Sequence, residues 1–208
     1  MNSRIRAAAV VAVVLAAFLS ACSTETGGTA VPSSSGASTA TSEANPDVPK
    51  VAQPLNASAY AADPCKLMPQ STLTELRFVD PGTPHTAAAP DTKAGPYCGW
   101  IVKGEGAGLQ VSLLTGNRDN GMGGLAGIYG GHASGQFAFL EKTEDVDGYP
   151  AVFADRKDRR AGGNCNMYVG IADDLVFGAY ALGYQGAQDS CQAAQQAAAA
   201  VVKTLKGA

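Results

Sequence analysis

The stretch CNMYVGIADDLVFGAYALGYQGAQDSCQAAQQAAAAVVKTLKG, residues 165–207, decides the fold. Its first half alternates: Cys165, Met167, Val169 and Ile171 share one side of a strand, because successive side chains of an extended chain point to opposite faces. A second strand begins at Leu175, and Asp173-Asp174 joins the two as a hairpin. The period then changes. Cys191, Ala194, Ala198, Val201 and Leu205 recur at steps of three and four, which is one face of a helix. Asp189 with Gln192 makes a capping-box pattern, and Lys203, Lys206 and Gly207 supply cationic and stop signals at the end. A strand pair followed by a helix with an alanine-rich buried stripe predicts close packing of helix on sheet.

Working upstream, Tyr97 to Val102 puts Cys98, Trp100 and Val102 on one face, and Leu109, Val111 and Leu113 alternate after the turn GEGAG. These read as a second hairpin. A third is predicted where Gln136 to Val146 and Pro150 to Arg156 flank Asp147-Gly148, a favoured tight-turn pair. Asp63-Pro64 reads as the N-cap and first residue of an early helix, with Cys65 in its first turn. The expected fold is α+β, an antiparallel sheet of about six strands with the N- and C-terminal helices on one face.

The N-terminal end carries a different signal. Arg4 and Arg6 precede an uncharged run from Ala7 to Ala21, too short for the roughly 20 residues that span a bilayer and typical of a secretory signal peptide. Leu19-Ser20-Ala21-Cys22 resembles the bacterial lipobox, whose cysteine is diacylated on sulfur and becomes the new N-terminus. The resemblance implies that diacylglyceryl Cys22 anchors the chain to the extracytoplasmic face of the plasma membrane, two acyl chains holding firmly where one holds marginally. Residues 23–58 are dominated by Ser, Thr, Ala, Gly and Pro and lack any aromatic residue. Such a segment is expected to be a disordered tether reaching roughly 35 Å. The expected organisation is a signal peptide at 1–21, lipidated cysteine and tether at 22–58, and one domain at 59–208. The sequon Asn56-Ala57-Ser58 reads as a coincidence, because the lipobox resemblance implies a bacterium.

With Cys22 used for lipid, the remaining four cysteines are an even set in an oxidising compartment. Four cysteines allow three connectivities. Pairs Cys65–Cys98 and Cys165–Cys191 would each staple a helix to a strand, contributing roughly 3–4 kcal/mol apiece by the chain-entropy argument. A zinc site is disfavoured, since there is no C-x-x-C and only His85 and His132 could add ligands.

Residues 59–208 hold 15 acidic and 12 basic side chains, a net of −3. There is no basic stripe of the kind nucleic acid requires. The run Arg156, Lys157, Arg159 and Arg160 is broken by Asp158 and reads as a solvated loop, with contact to anionic lipid or envelope polymer the sharper alternative. Gly121-Met122-Gly123-Gly124-Leu125-Ala126 fits G-x-G-x-x-A, but it does not follow a strand directly and no βαβ unit continues it. A weakly helical segment with Leu125 and Ile128 inward is expected instead. In Gly131-His132-Ala133-Ser134-Gly135 the serine sits one place late for a nucleophile elbow, and His132 reads as a loop-capping residue. Glu141, Glu144, Asp145 and Asp147 lack the spacing of a calcium loop and read as surface charge. Trp100 shares a face with Cys98 and is expected in the core.

Taken in order, a lipobox, a Ser/Thr/Pro tether, Asp63-Pro64-Cys65-Lys66-Leu67, Cys98-Gly99-Trp100, Gly148-Tyr149-Pro150-Ala151-Val152, Cys165 opening a hairpin and Cys191 opening the last helix make one ordered set. Across about residues 20–206 it resembles the LprB and LprC type lipoproteins of actinobacteria, a domain-of-unknown-function family. The resemblance implies the compartment, the disulfides and the fold, and supplies no catalytic residue. No catalytic constellation, metal site or cofactor is expected. The reading that follows is a non-catalytic, membrane-anchored module that binds an envelope lipid, glycan or small hydrophobic ligand between sheet and helices. Its alternative is a module that docks to an envelope enzyme, transporter or receptor, marked by an exposed apolar patch.

Overall fold

The computed structural model describes residues 46–86 and 91–207. The expected signal peptide, Cys22 and the first part of the tether lie outside the described residues. Seven strands form one antiparallel sheet: β1 Thr83–His85, β2 Tyr97–Ile101, β3 Gly108–Leu113, β4 Phe139–Lys142, β5 Ala151–Asp155, β6 Cys165–Ala172 and β7 Leu175–Leu182. Their order is β1-β2-β3-β7-β6-β5-β4. The three expected hairpins are present, and the additional strand is β1, which pairs Thr83, Pro84 and His85 with Gly99, Cys98 and Tyr97. Its sequence shows no apolar alternation, and its proline is tolerated because β1 is an edge.

Helices α1 Gln70–Glu75, α2 Thr115–Asp119, α3 Gly124–Ala133 and α4 Ala187–Lys206 complete the fold, with a 3₁₀ turn at Pro64–Leu67 where an early helix was expected. Alanines 193, 194, 197 and 198 of α4 are almost fully buried against Cys165, Met167, Val169, Phe177 and their neighbours on one face of the sheet. Leu67, Met68 and Leu73 from the N-terminal helical segments join the same core. Small side chains let the helix axis approach the strands, so this core is filled by backbone proximity as much as by side-chain bulk. The opposite face is also covered over part of its width. There Leu125, Ile128 and Tyr129 of α3 pack on Val152, Ala154, Tyr168 and Val176, a second layer that the sequence reading did not include.

The long helix begins two residues before the expected capping box. Gly186 precedes Ala187 without a side-chain cap, and the Ser190 hydroxyl donates back to the Gly186 carbonyl at 2.8 Å. Asp189 therefore lies within the first turn, where its charge complements the helix dipole. The C-terminal stop is as expected, with Gly207 left-handed at φ 79°.

Strand β4 is shorter than the expected span, because Val146 and Tyr149 form only an isolated bridge around the turn. At that turn Asp147 and Gly148 both have positive φ, 49° and 84°, the pair of left-handed residues a type I′ hairpin needs. Cys65–Cys98 joins the 3₁₀ turn to β2 across 33 residues, and Cys165–Cys191 joins β6 to α4 across 26. Both expected pairings are present.

The folded unit reaches back past the boundary expected at 58. Ala57 is buried in the main core, and Val51 and Leu55 pack against it. The Leu55 N–H donates to the Ile171 carbonyl at 2.8 Å, the Val51 N–H donates to Asp173 Oδ1 at 3.0 Å, and the Tyr149 hydroxyl donates to the Gln53 carbonyl at 3.0 Å. Three isolated apolar side chains at irregular spacing hold this strap, which is why composition alone marked it as tether.

Candidate functional site

Helix α3 leaves the β1–β2–β3 end of its sheet face uncovered, and an open groove of about 600 Å³ lies there. That volume falls within the range of small-molecule sites. Its floor follows from the strand register. The side chains of Cys98 and Trp100 enter the α4 core, so Tyr97, Gly99 and Ile101 face the groove. Gly99 lies opposite Gln110, and Ile101 lies opposite Gly108. A Cβ placed on Gly99 would meet nothing within 4 Å. The missing side chain therefore leaves a trough in the sheet surface, bordered by Ile101 (68% exposed) and Leu182.

One end of the groove carries a compact polar cluster. His85 and Tyr97 are direct cross-strand partners, and their rings stack at 4.2 Å with an interplanar angle of 8°. The Tyr97 hydroxyl donates to Asp91, and His85 Nδ1 lies 3.1 Å from the same carboxylate. Sharing its proton with Asp91 pushes the Tyr97 phenol up to about 12. The same bond, with smaller help from His85, holds the Asp91 carboxyl below the ordinary carboxylate value. At the other end Lys103 Nζ pairs with Asp80 at 3.1 Å. These charges meet partners inside the protein.

Farther along the same face Tyr168 and Tyr180 meet edge to face at 5.7 Å and share a hydrogen bond. Burial, as the largest cause, raises Tyr168 to about 12 and Tyr180 above its ordinary value. Asn166 Oδ1, on this face beside Tyr180 in register, is shielded from solvent and has no hydrogen-bond partner.

The residues weighed from sequence fall elsewhere. Gly123 and Gly124 abut the backbone carbonyls of Asp174 and Asp173, so the G-x-G-x-x-A segment is glycine-rich because α3 starts hard against the β6–β7 turn. His132 Nδ1 hydrogen-bonds the Phe137 carbonyl at 2.9 Å and closes its own loop. Glu141 accepts from Arg160 at 3.0 Å, Arg160 also pairs with Asp158, and its guanidinium lies 4.0 Å over Phe139. Arg159 pairs with buried Asp155. The basic run is thus partly consumed in bracing edge strand β4. Among the described residues no group of three or more His, Cys, Asp or Glu is arranged to hold a metal, and no helix is long and apolar enough to cross a membrane. Trp100 is 3% exposed, as expected of a core residue. In the sequence His85 figures only as an extra zinc ligand and Asp91 and Tyr97 as no site at all; the unexpected pairing of β1 with β2 brings His85 against Tyr97, and both reach Asp91.

The chain matches a family described as a protein of unknown function, DUF3558, over residues 17–204, and it belongs to that family. No curated protein and no solved structure matches it.

Proposed function

We propose that this DUF3558 protein is an extracytoplasmic lipoprotein of the LprB and LprC type, anchored through diacylglyceryl Cys22, and that its domain is a non-catalytic binding module. The lipobox Leu19-Ser20-Ala21-Cys22 supports the anchor, and the family match takes it in. The observation that carries the binding reading is the trough at Gly99, a strand position left without a side chain where one would fit. A glycine inside a strand weakens it and often marks where a ligand approaches closely. The ligand, an envelope lipid, glycan or small hydrophobic molecule, would lie in the groove on the α3 face. The interface of sheet and α4 offers little space, because its alanines are close-packed. The test is native mass spectrometry of the oxidised mature chain recovered from its own envelope. A reproducible added mass that Gly99→Val removes supports the reading, and a bare mass in both proteins overturns tight ligand binding.

One observation favours the second reading, docking to an envelope enzyme, transporter or receptor. Ile101, beside the groove, is 68% exposed, as a hydrophobic anchor for a protein partner would be. Cross-linking from position 101 in intact cells distinguishes the two.

A further inference from the structure

The strand register aligns a row of hydrogen-bonding residues across five strands on the groove face. Thr83 of β1 lies opposite Gly99 of β2, Gly99 opposite Gln110 of β3, Gln110 opposite Tyr180 of β7, and Tyr180 opposite Asn166 of β6. At about 4.8 Å per strand the row spans roughly 19 Å. Its neighbours on the α4 face are apolar throughout: Cys98, Leu109, Val111, Ala179, Ala181 and Cys165. Thr83, Gly99 and Gln110 line the groove, whereas Tyr180 is packed against the layer under α3.

Two features of the row bear on its occupant. Gly99 interrupts it with a gap between two side chains that can donate and accept, Thr83 and Gln110. The stacked His85 and Tyr97 rings border that gap two residues along the strands. The lysine lining the groove, Lys103, is paired with Asp80, and the Asp91 carboxylate beside the groove is engaged by the Tyr97 hydroxyl and His85 Nδ1, so among the described residues the groove offers hydrogen bonds and ring faces and no free cation to hold an anion. Its complement is an uncharged molecule with many hydroxyl groups and apolar C–H faces.

We infer that the groove is a binding site for a neutral glycan, laid across the strands along Thr83, Gly99 and Gln110 with a sugar seated in the Gly99 trough. The inference rests on the binding-module reading above and narrows it to one ligand class. The gap at Gly99 admits the sugar ring, Thr83 and Gln110 bond its hydroxyls, and the Tyr97–His85 pair supplies an aromatic wall for its C–H face.

The experiment is an NMR titration of the oxidised mature chain carried on nanodiscs, with backbone amides of Gly99, Ile101 and Gln110, all at the groove, as reporters. The probes are neutral tetrasaccharides of glucose or mannose, decanoic acid, and an uncharged tetrapeptide. The expected result is that a tetrasaccharide shifts these amides with a Kd unchanged by added salt, because screening acts only between charges. Gly99→Val, which stays folded, weakens binding at least about tenfold by filling the trough, and Gln110→Ala weakens it about three- to tenfold by removing one hydrogen bond. If decanoic acid or the peptide shifts the reporters and no tetrasaccharide does, the glycan assignment falls and the binding-module reading stands. If no probe shifts them, both fall.

Discussion

Gly178 and Tyr180 stand two residues apart on one face of β7, and the Tyr180 phenol lies directly over Gly178, in the space a Cβ there would need. Gly99, on the same face, has open space at the equivalent place. Two strand glycines therefore have opposite reasons. Gly178→Val forces the Tyr180 ring off its seat and breaks its contact with Tyr168. It is expected to cost about 1–3 kcal/mol by overpacking.

Gly99→Val is expected to do the reverse. Valine suits a strand, meets no clash, and removes unfolded-state freedom, so stability rises by about 0.5–1 kcal/mol. Parallel urea melts of the two variants check both signs. A destabilised Gly99→Val would mean that the trough is filled in the folded protein.

The Asp91–Tyr97 bond predicts pH behaviour at both extremes. Asp91 has a lowered carboxyl in the folded state, so its contribution is present above the unfolded carboxylate value and lost as pH falls through the folded one. Tyr97 is raised to about 12, so its contribution is present below the unfolded phenol value near 10 and lost as pH rises toward 12. In Tyr97→Phe the Asp91 titration, followed by carboxyl-carbon NMR, is expected to move upward toward its ordinary position.

Much of this architecture is legible in one dimension. Cys98 and Trp100 alternate with Gly99 because the strand buries one face, Asp147-Gly148 carries its turn chemistry openly, and the 3–4 spacing of α4 survives its high alanine content. The hidden parts lack such signals. Gly124–Ala133 is too glycine-rich to show an amphipathic stripe, so its role as a cover over the second face was not visible. Thr83-Pro84-His85 has no strand pattern at all. The groove was hidden for a deeper reason: Thr83, Gly99 and Gln110 become neighbours only through register, which no single segment contains.

The N-terminal strap predicts a dependence on residues that resemble linker. A chain beginning at Ser58 loses the Leu55 bond to Ile171, the Val51 bond to Asp173 and the apolar contacts of Val51, Leu55 and Ala57. It is expected to be less stable than a chain beginning at Pro46 by about 2 kcal/mol or more, given the area returned to water. Chemical denaturation of the two chains measures the difference. Equal midpoints would mean that the strap contributes no net stability.

Arg160→Ala removes two ion pairs and the cation–π contact over Phe139 together. The expected loss is about 1 kcal/mol and smaller in high salt. Hydrogen exchange checks its location, since the amides of Phe139–Lys142 are expected to exchange faster while those of β6 and β7 do not.

Both covalent ties and the alanine helix belong to one side of the sheet, whereas the trough, the tyrosines and the polar row belong to the other. The molecule is built like a printing block, with a rigid backing and a face whose relief can be recut. Thr83, Gly99, Gln110 and Ile101 can each be exchanged without touching a disulfide or opening the main core. Changes at these outward positions on β1, β2 and β3 therefore recut the relief of that face and leave the scaffold behind it as it is.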